Sequence, residues 1–358
     1  MLLGDACSRL SSGKGIKAKE IHEKGKFPVY GGNGIRGFTN TKNFSGDCAI
    51  IGRQGAYCGN VRYFCGDAYM TEHAVVVQAN EKNNTRYLSY LLSTMNLGRL
   101  SGQSAQPGLS VKTLSVQEIE LPDRGTQVKV ANLLASLDTK IEENERINKN
   151  LQAQAQAIYT HMFIDGADES WTQGLLSDIA TITMGQSPKG DTYNETGAGT
   201  VFFQGRAEFG FRFPTRRLYT TEPKRMAKAN DVLLSVRAPV GDLNVAYEDC
   251  CIGRGLGAIH SNDGHQSFVL YTMFALRDQL DVFNGEGTVF GSINRDALNL
   301  MPISIPPRNV VDKFEAIVSP MDAAIRNNYE EICHLQSMRD GLLPHLMSGE
   351  IDVSDIDL

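Results

Sequence analysis

The sequence predicts an α+β protein in which one unit is used twice: two α/β domains joined by two long helices that form an antiparallel coiled coil, with an internal pseudo-twofold duplication. Three observations predict it. From Asp47 to His161 the first half maps onto the second at a constant shift of 184 residues, with Asp47 landing on Asp231, Arg53 on Arg237, Tyr87 on Tyr271, Leu114 on Leu298 and Pro122 on Pro306. Nearer the start, Leu3-x-Asp5 matches Leu176-x-Asp178 at a shift of 173, so the second copy holds about eleven residues more than the first in between. Each copy also closes on a heptad-spaced apolar stripe. Two copies at so long a period are a duplicated domain, since a solenoid needs shorter and more numerous repeats.

Within the first copy, short apolar runs at Cys48–Ile51, Val61–Phe64 and Ala74–Gln78 stand among glycines and polar residues and read as strands. A helix is expected over about Thr85–Leu100, then a strand-like Ile119-Glu120-Leu121-Pro122 stopped by proline. The second copy repeats this as Val232–Val236, Leu243–Ala246, a helix near Phe268–Leu280, and Ile303-Ser304-Ile305-Pro306.

The stripes come next. Val130, Leu134, Leu137, Ile141, Asn144, Asn148, Leu151, Ala155, Ile158 and Met162 alternate steps of four and three. Phe314, Val318, Met321, Ile325, Asn328, Ile332, Leu335, Arg339, Leu342 and Leu346 do the same. Such seams, sustained over more than four heptads, belong to helices that pair with each other, and asparagines on the seam set register at some cost in stability. Ser319-Pro320 reads as an N-cap with the first helical position, or as a kink, so that the second rod begins in earnest at Pro320. The expected segments are an α/β domain over 1–125, a long helix over 126–165, a second α/β domain over 166–309, a long helix over 310–348 and an acidic tail over 349–358. Ten seam positions make a rod of about 50 Å at about 1.5 Å per residue. At about 3.4 Å per base pair, that matches about 15 base pairs of duplex.

Composition narrows the class. Hydrophobic residues are 41% and charged residues 21% of the 358, which suits a soluble globular protein with room for two cores. No apolar run reaches the length of a membrane span, and the start lacks the basic and apolar regions of a signal peptide. Seven cysteines without a C-x-x-C pair read as free thiols in a cytoplasmic protein. The net charge of −6 is uneven: residues 1–125 carry +5, while residues 311–358 carry −7, so local patches matter more than the total.

Catalytic signatures are missing. There is no Walker-type G-x-x-x-x-G-K-[ST], no H-E-x-x-H, no metal-spaced Cys/His cluster and no Asn/Asp-Pro-Pro-aromatic motif of amino-methylating enzymes. Gly32-Asn33-Gly34-Ile35-Arg36-Gly37 fits G-x-G-x-x-G, but Phe38-Thr39-Asn40-Thr41 does not open a helix, so a flexible loop that can approach a partner closely is the better reading. His161 and His345 sit at equivalent helix ends, where they can meet the last carbonyls. Basic residues cluster twice. Arg206, Arg212, Arg216, Arg217, Lys224, Arg225 and Lys228 interleave with Phe209, Phe211, Phe213 and Tyr219, and lysines with Arg36 surround the first glycine loop. Arginine forks suit guanine edges and phosphates. The candidate DNA-binding residues are therefore Lys14, Arg36, Arg53, Gln54, Arg62, Gln186, Arg206, Arg212, Arg216, Arg217, Arg237 and Arg254.

With these residues in view, the chain resembles the specificity (S) subunits of type I restriction-modification systems over essentially its whole length. The resemblance rests on the two-copy layout and the proline-ended strand before each long helix. It also rests on Thr183-Met184-Gly185-Gln186-Ser187-Pro188, similar to the family's G-x-[ST]-P turn, on the run from Asp231 to Gly241, and on Cys251-Ile252-Gly253-Arg254-Gly255. The first copy departs at Ser12-Gly13-Lys14-Gly15 and at Gly52-Arg53-Gln54-Gly55, which implies that the two domains read different sequences. The resemblance implies two target recognition domains reading a split, asymmetric DNA site, with the helices as spacer. It further implies docking of modification (M) subunits, which carry S-adenosylmethionine, and of a restriction (R) subunit using ATP and Mg. No cofactor or catalysis is expected on this chain. A coiled-coil adaptor, or the recognition subunit of another DNA-modifying defence system without a nuclease, is the alternative.

Overall fold

The computed structural model describes residues 1–101, 108–285 and 291–354. The first copy begins with a one-turn helix α1 (Leu3–Ala6) and β1 (Cys7–Ser12), then β2 (Phe27–Gly31), β3 (Gly34–Thr39), β4 (Phe44–Gly52), β5 (Val61–Met70) and β6 (Ala74–Ala79). Helices α2 (Thr85–Thr94), α3 (Val111–Ser115) and α4 (Arg124–Thr160) follow. The second copy holds β7 (Thr172–Leu175), α5 (Leu176–Ile179), β8 (Ala180–Met184), β9 (Tyr193–Asn194), β10 (Thr200–Phe203), β11 (Tyr219–Thr220) and β12 (Met226–Ala227). It continues with β13 (Val232–Ser235), β14 (Leu243–Val245), β15 (Cys250–Ile252), β16 (Leu256–Ser261), α6 (Gln266–Ala275), α7 (Arg277–Asp281), α8 (Arg295–Asn299), β17 (Pro302–Ile305) and α9 (Arg308–Met347). The chain forms two compact units: Met1–Asn144 with Glu330–Leu358, and Glu145–Tyr329. Each unit therefore holds one α/β region and a part of each long helix.

In the first unit a sheet runs in the order β1-β6-β4-β5-β2-β3. Strand alternation sends Ala49, Ile51, Val75 and Val77 to one face, against Leu88 and Leu92 of α2. Cys48, Ile50, Ala74 and Val76 go to the other face, against Phe44, Ala68 and Met70. Both faces of the central strands are covered, which is why these segments read as continuous apolar runs. The Asn84 side chain caps α2 by accepting from Tyr87 N at 2.8 Å. That helix stops at Thr94, short of the expected Leu100, because Asn96 takes a left-handed φ of 47° before a 3₁₀ turn over Leu97–Leu100. The expected strand at Ile119–Pro122 does not form; Glu118 just before it makes one bridge, to Leu2, and Ile119 O accepts the Met1 ammonium.

In the second unit the sheet β14-β13-β16-β8 carries Val232 and Leu234 into the large core and Leu233 into a smaller one. A second sheet, β12-β15-β10-β11-β9, lies beside it in the chain's second half. Here the proline-ended strand does form, β17 pairing with β7 from Pro302↔Leu175 to Ile305↔Thr172. The Leu2↔Glu118 bridge of the first unit is its counterpart. Equivalent caps recur too: Ser110 accepts from Thr113 N at 2.9 Å, and Asn294 from Ala297 N at 2.8 Å.

The long helices run antiparallel within each unit. In the first, Asp138 meets Arg339 and Asn144 meets Glu331. In the second, Asn148 meets Asn328, and Tyr159 meets Phe314 with ring centroids 5.8 Å apart. Every candidate seam residue (Leu134, Leu137, Ile141, Asn144, Asn148, Leu151, Val318, Met321, Ile325, Asn328, Ile332 and Leu335) is buried or half-buried. The ends of α4 bury a wider face than its middle. Val130, Ala131 and Leu134 pack with Tyr87, Tyr90 and Leu346, while Ala155 and Tyr159, with Phe163 of the π-helical turn His161–Asp165 that follows α4, enter the core of the second unit.

Two expectations about the second rod need correction. Helix α9 starts at Arg308 and passes through Pro320 and Pro344 without a break. Pro320 removes the N–H that Ala316 O would accept, but both residues are exposed, so the proline lies on the solvent-facing side of the helix. Pro344 and Asp340 are exposed in the same way. His345 does not reach the last carbonyls; its Nδ1 pairs with Glu350 Oε2 at 2.6 Å. The described part of the acidic tail folds back into the first unit, with Val353 1% exposed and Ser354 O accepting from Lys129 Nζ; its last residues, 355–358, lie outside the described residues. All seven cysteines are free, and burial pushes the Cys48 and Cys250 thiols up to about 12.

Candidate nucleic-acid interface

In the second unit, polar residues converge where β8, β13 and β15 end. Gly185 N donates to Leu256 O and Gln186 N to Ile252 O, both at 2.9 Å, so the chain leaves β8 by crossing the turn after β15. A side chain at Gly185 would collide with the Gly253 carbonyl, so only glycine allows that crossing. Gly253 N bonds Phe203 O, Gly255 N bonds Gln204 O, and Val236 N bonds Gly255 O. The result gathers Gln186, Gln204, Arg237 and Arg254 where the ends of β8 and β13 meet the ends of β10 and β15 of the second sheet. Beyond β13 the turn is pinned by Ser235 Oγ, whose single proton is shared between Pro239 O at 2.6 Å and Arg237 O at 3.0 Å. Gln186, Arg237 and Arg254 are exposed, and neither arginine has a carboxylate partner among the described residues.

The first unit builds a corresponding surface with different parts. Gly13 lies against the Met70 carbonyl, where any side chain would clash, and Lys14 N donates to Met70 O at 2.9 Å. Arg53 leaves β4 with its backbone held by His73 O and Leu109 N, and its Nη1 lies 3.5 Å from Ser12 Oγ and Glu72 O. The expected flexible glycine loop is instead the tight turn of the β2–β3 hairpin, Gly31↔Gly34. Gly34 takes φ +100°, and the Arg62 guanidinium sits against it. The Arg36 stem packs over Gly31. The Tyr30 phenol is raised by burial, with the nearby Arg62 charge pulling the other way. Lys14, Arg36, Gln54 and Arg62 are exposed and Arg53 is half-buried; Arg36, Arg62 and the backbone of Arg53 and Gln54 all lie against the glycines of the β2–β3 turn.

The stretch 206–228 fares differently. Arg212 is not a surface residue: it is 5% exposed, its Nη1 bonds Asp322 Oδ1 at 3.1 Å and its Nη2 bonds the Tyr271 hydroxyl at 3.1 Å. It anchors the domain to α9, because an arginine removed from water must find a carboxylate. Arg206 pairs with Asp242, and Arg216 pairs with Glu248 at 2.5 Å while stacking on Tyr247. Arg217 bonds the buried Glu208 at 2.7 Å and Glu195 at 3.5 Å. Exposed pairs of this kind are worth about 0–1 kcal/mol, so Arg206 and Arg216 can exchange a carboxylate for a phosphate at small cost. Arg217 is bound to neutralise Glu208. Phe213 is core, and Phe209 and Tyr219 are partly buried, so these three aromatics serve packing, while Phe211 alone of the four stands exposed. Gln204 and Asn33, exposed beside glycines at these turns, were not among the DNA-binding residues the sequence singled out.

Among the described residues no group of three His, Cys, Asp or Glu side chains is arranged to hold a metal ion. No helix among them is long and apolar enough to cross a membrane.

Comparison with known proteins bears on what these surfaces do. Residues 2–153 and 168–332 each match the model of the type I restriction modification DNA specificity domain. Over 290 residues the chain is 30% identical to the putative type I restriction enzyme MjaX specificity subunit of Methanocaldococcus jannaschii, covering 75% of this chain and 68% of that one. It is 39% identical over 135 residues to the EcoprrI specificity subunit of Escherichia coli, covering 37% of this chain and 34% of the other. The crystal structure of a type I restriction-modification S subunit from M. genitalium shares the fold, with a TM-score of 0.66 at 15% identity over 97% of this chain and 95% of that one.

Proposed function

The chain belongs to the family of type I restriction-modification specificity subunits, and from that premise we propose that its two strand-end surfaces read the two halves of one split, asymmetric DNA target. Specificity subunits are the non-catalytic, two-domain members of such systems. In this reading the chain works in the cytoplasm on double-stranded DNA. M subunits bring S-adenosylmethionine to methylate adenine, and an R subunit adds ATP- and Mg-dependent cleavage.

The observation that carries the proposal is that one arginine recurs at the repeat shift, as Arg53 and Arg237, among otherwise unlike exposed polar neighbours in the two copies. Lys14, Arg53, Gln54 and Arg62 stand in one, and Gln186, Arg237 and Arg254 in the other. An arginine fork matches guanine O6 and N7, and a glutamine amide matches adenine N6 and N7, in the major groove. Lys14, Arg36 and the exchangeable Arg206 and Arg216 suit phosphates, which position without specifying. Different side chains on one scaffold read different bases, which a target of two unlike halves requires.

The test is a domain exchange. Residues 170–308 are replaced by the counterpart from another specificity subunit, the chain is expressed with its M subunit, and the methylated sites are mapped across the host genome. One half of the target changes and the other stays. A change in both halves, or no methylation pattern tied to this chain before the exchange, overturns the reading.

A further inference from the structure

Arg212 is buried rather than presented to a ligand, and we infer that Arg212, Tyr271 and Asp322 form a positioning cluster that holds the second recognition domain at one attitude on α9 and thereby sets how strictly the gap between half-sites is enforced. The inference rests on the functional reading above. The three side chains close a ring: Arg212 donates to Asp322 and to the Tyr271 hydroxyl, and that hydroxyl donates to Asp322 Oδ1 at 2.9 Å. One turn further along α9, Arg326 bonds Asn230 Oδ1 at 3.0 Å and the Tyr247 carbonyl, and lies over the Tyr247 ring at 4.3 Å. Residues four apart share a helix face, so Asp322 and Arg326 grip three loops of the domain and α6 from one side.

The path from this grip to the reading edge is short and rigid. Val245 N donates to Arg212 O at 2.8 Å, Val245 pairs with Val232, and β13 runs from Val232 to the turn that presents Arg237. Packing does not do this job alone. A cavity of about 270 Å³ lies along the seam, lined by Arg212, Asp322 and Arg326 together with Glu315, Ser267 and Leu270. Where the seam is not filled, directional charge-assisted bonds fix orientation. The first unit uses its equivalent aspartate otherwise: Asp138 accepts from the Tyr90 hydroxyl at 2.5 Å and pairs with Arg339 of α9. The buried arginine anchor belongs to the second domain.

The experiment uses the complete complex with M subunits and DNA carrying the mapped target at its native gap and at gaps one base pair longer and shorter. Arg212→Met and Asp322→Asn lower the ratio of methylation at the native gap to that at the altered gaps about tenfold, while the bases read in both halves stay the same. Arg212→Lys restores part of the ratio. If Arg212→Met does not fold, judged by circular dichroism and gel filtration, Tyr271→Phe removes one hydroxyl and reads the same ratio. An equal loss at all three gaps marks a merely structural cluster, and a changed base preference marks a direct reader; either overturns the inference. A wild-type complex that methylates no split target instead overturns the functional reading on which it rests.

Discussion

The side-chain amide of Asn328 donates to Asn148 Oδ1 at 2.8 Å across the paired helices, and Asn148 in turn reaches the Ile325 carbonyl at 3.4 Å. Asn148 is 3% exposed, so its amide depends on these partners. Asn148→Leu alone strands Asn328 and costs about 1–3 kcal/mol, whereas Asn148→Leu with Asn328→Leu costs little or nothing. A double-mutant cycle by urea unfolding should give a coupling of about 0.5–3 kcal/mol. Simple additivity would show that the pair is not a unit.

Arg237→Ala should relax or abolish recognition of one half-site, with a loss of about 1–3 kcal/mol in discrimination at the affected base. Arg53→Ala, at the equivalent strand end, should do the same to the other half. Methylation of targets altered in one half at a time checks both. Equal damage to both halves by either variant would speak for a global role.

His265 links the domain to α9. Its ring lies 2.8 Å from Asp263 and 2.8 Å from Asp312. Burial lowers its pKa, but the two carboxylates outweigh burial and the net shift is upward. Glu315 beside it is raised by burial. Both groups bind protons more tightly folded than unfolded, so the stability they contribute is lost as pH rises: Glu315 above its ordinary carboxylate range, His265 above its ordinary 6.5. Asp263 acts oppositely: burial raises its pKa, hydrogen bonds from His265 and Ser261 more than reverse that, and its contribution is lost only in acid. Melting temperature should fall from pH 6 to pH 8, and His265→Asn should flatten that slope. An unchanged slope would remove His265 from the account.

Deleting one heptad from each long helix at matched positions removes about 10 Å of each. If the helices set the spacing, the unread gap in the mapped target shortens by about three base pairs. An unchanged gap would end the idea of a ruler.

The sequence determined what local periodicity can encode. Arg124 and Arg308, which open the long helices, stand at the repeat shift of 184, as do the capping residues Ser110 and Asn294. The seam asparagines were legible because a polar residue on an apolar stripe has one face to go to. Tertiary structure decided the fates of individual charges and breakers. Arg212 and Arg237 read alike in sequence, yet one is buried against Asp322, 110 residues away, and the other stands exposed at a strand end. Pro320 reads as a start or a kink, but its lost hydrogen bond falls on the watered face of α9. The physical reason is the range of each effect. Helix and strand patterns are written in neighbours a few residues apart, whereas the cost of a charge or a missing N–H depends on which distant segment, or water, meets it.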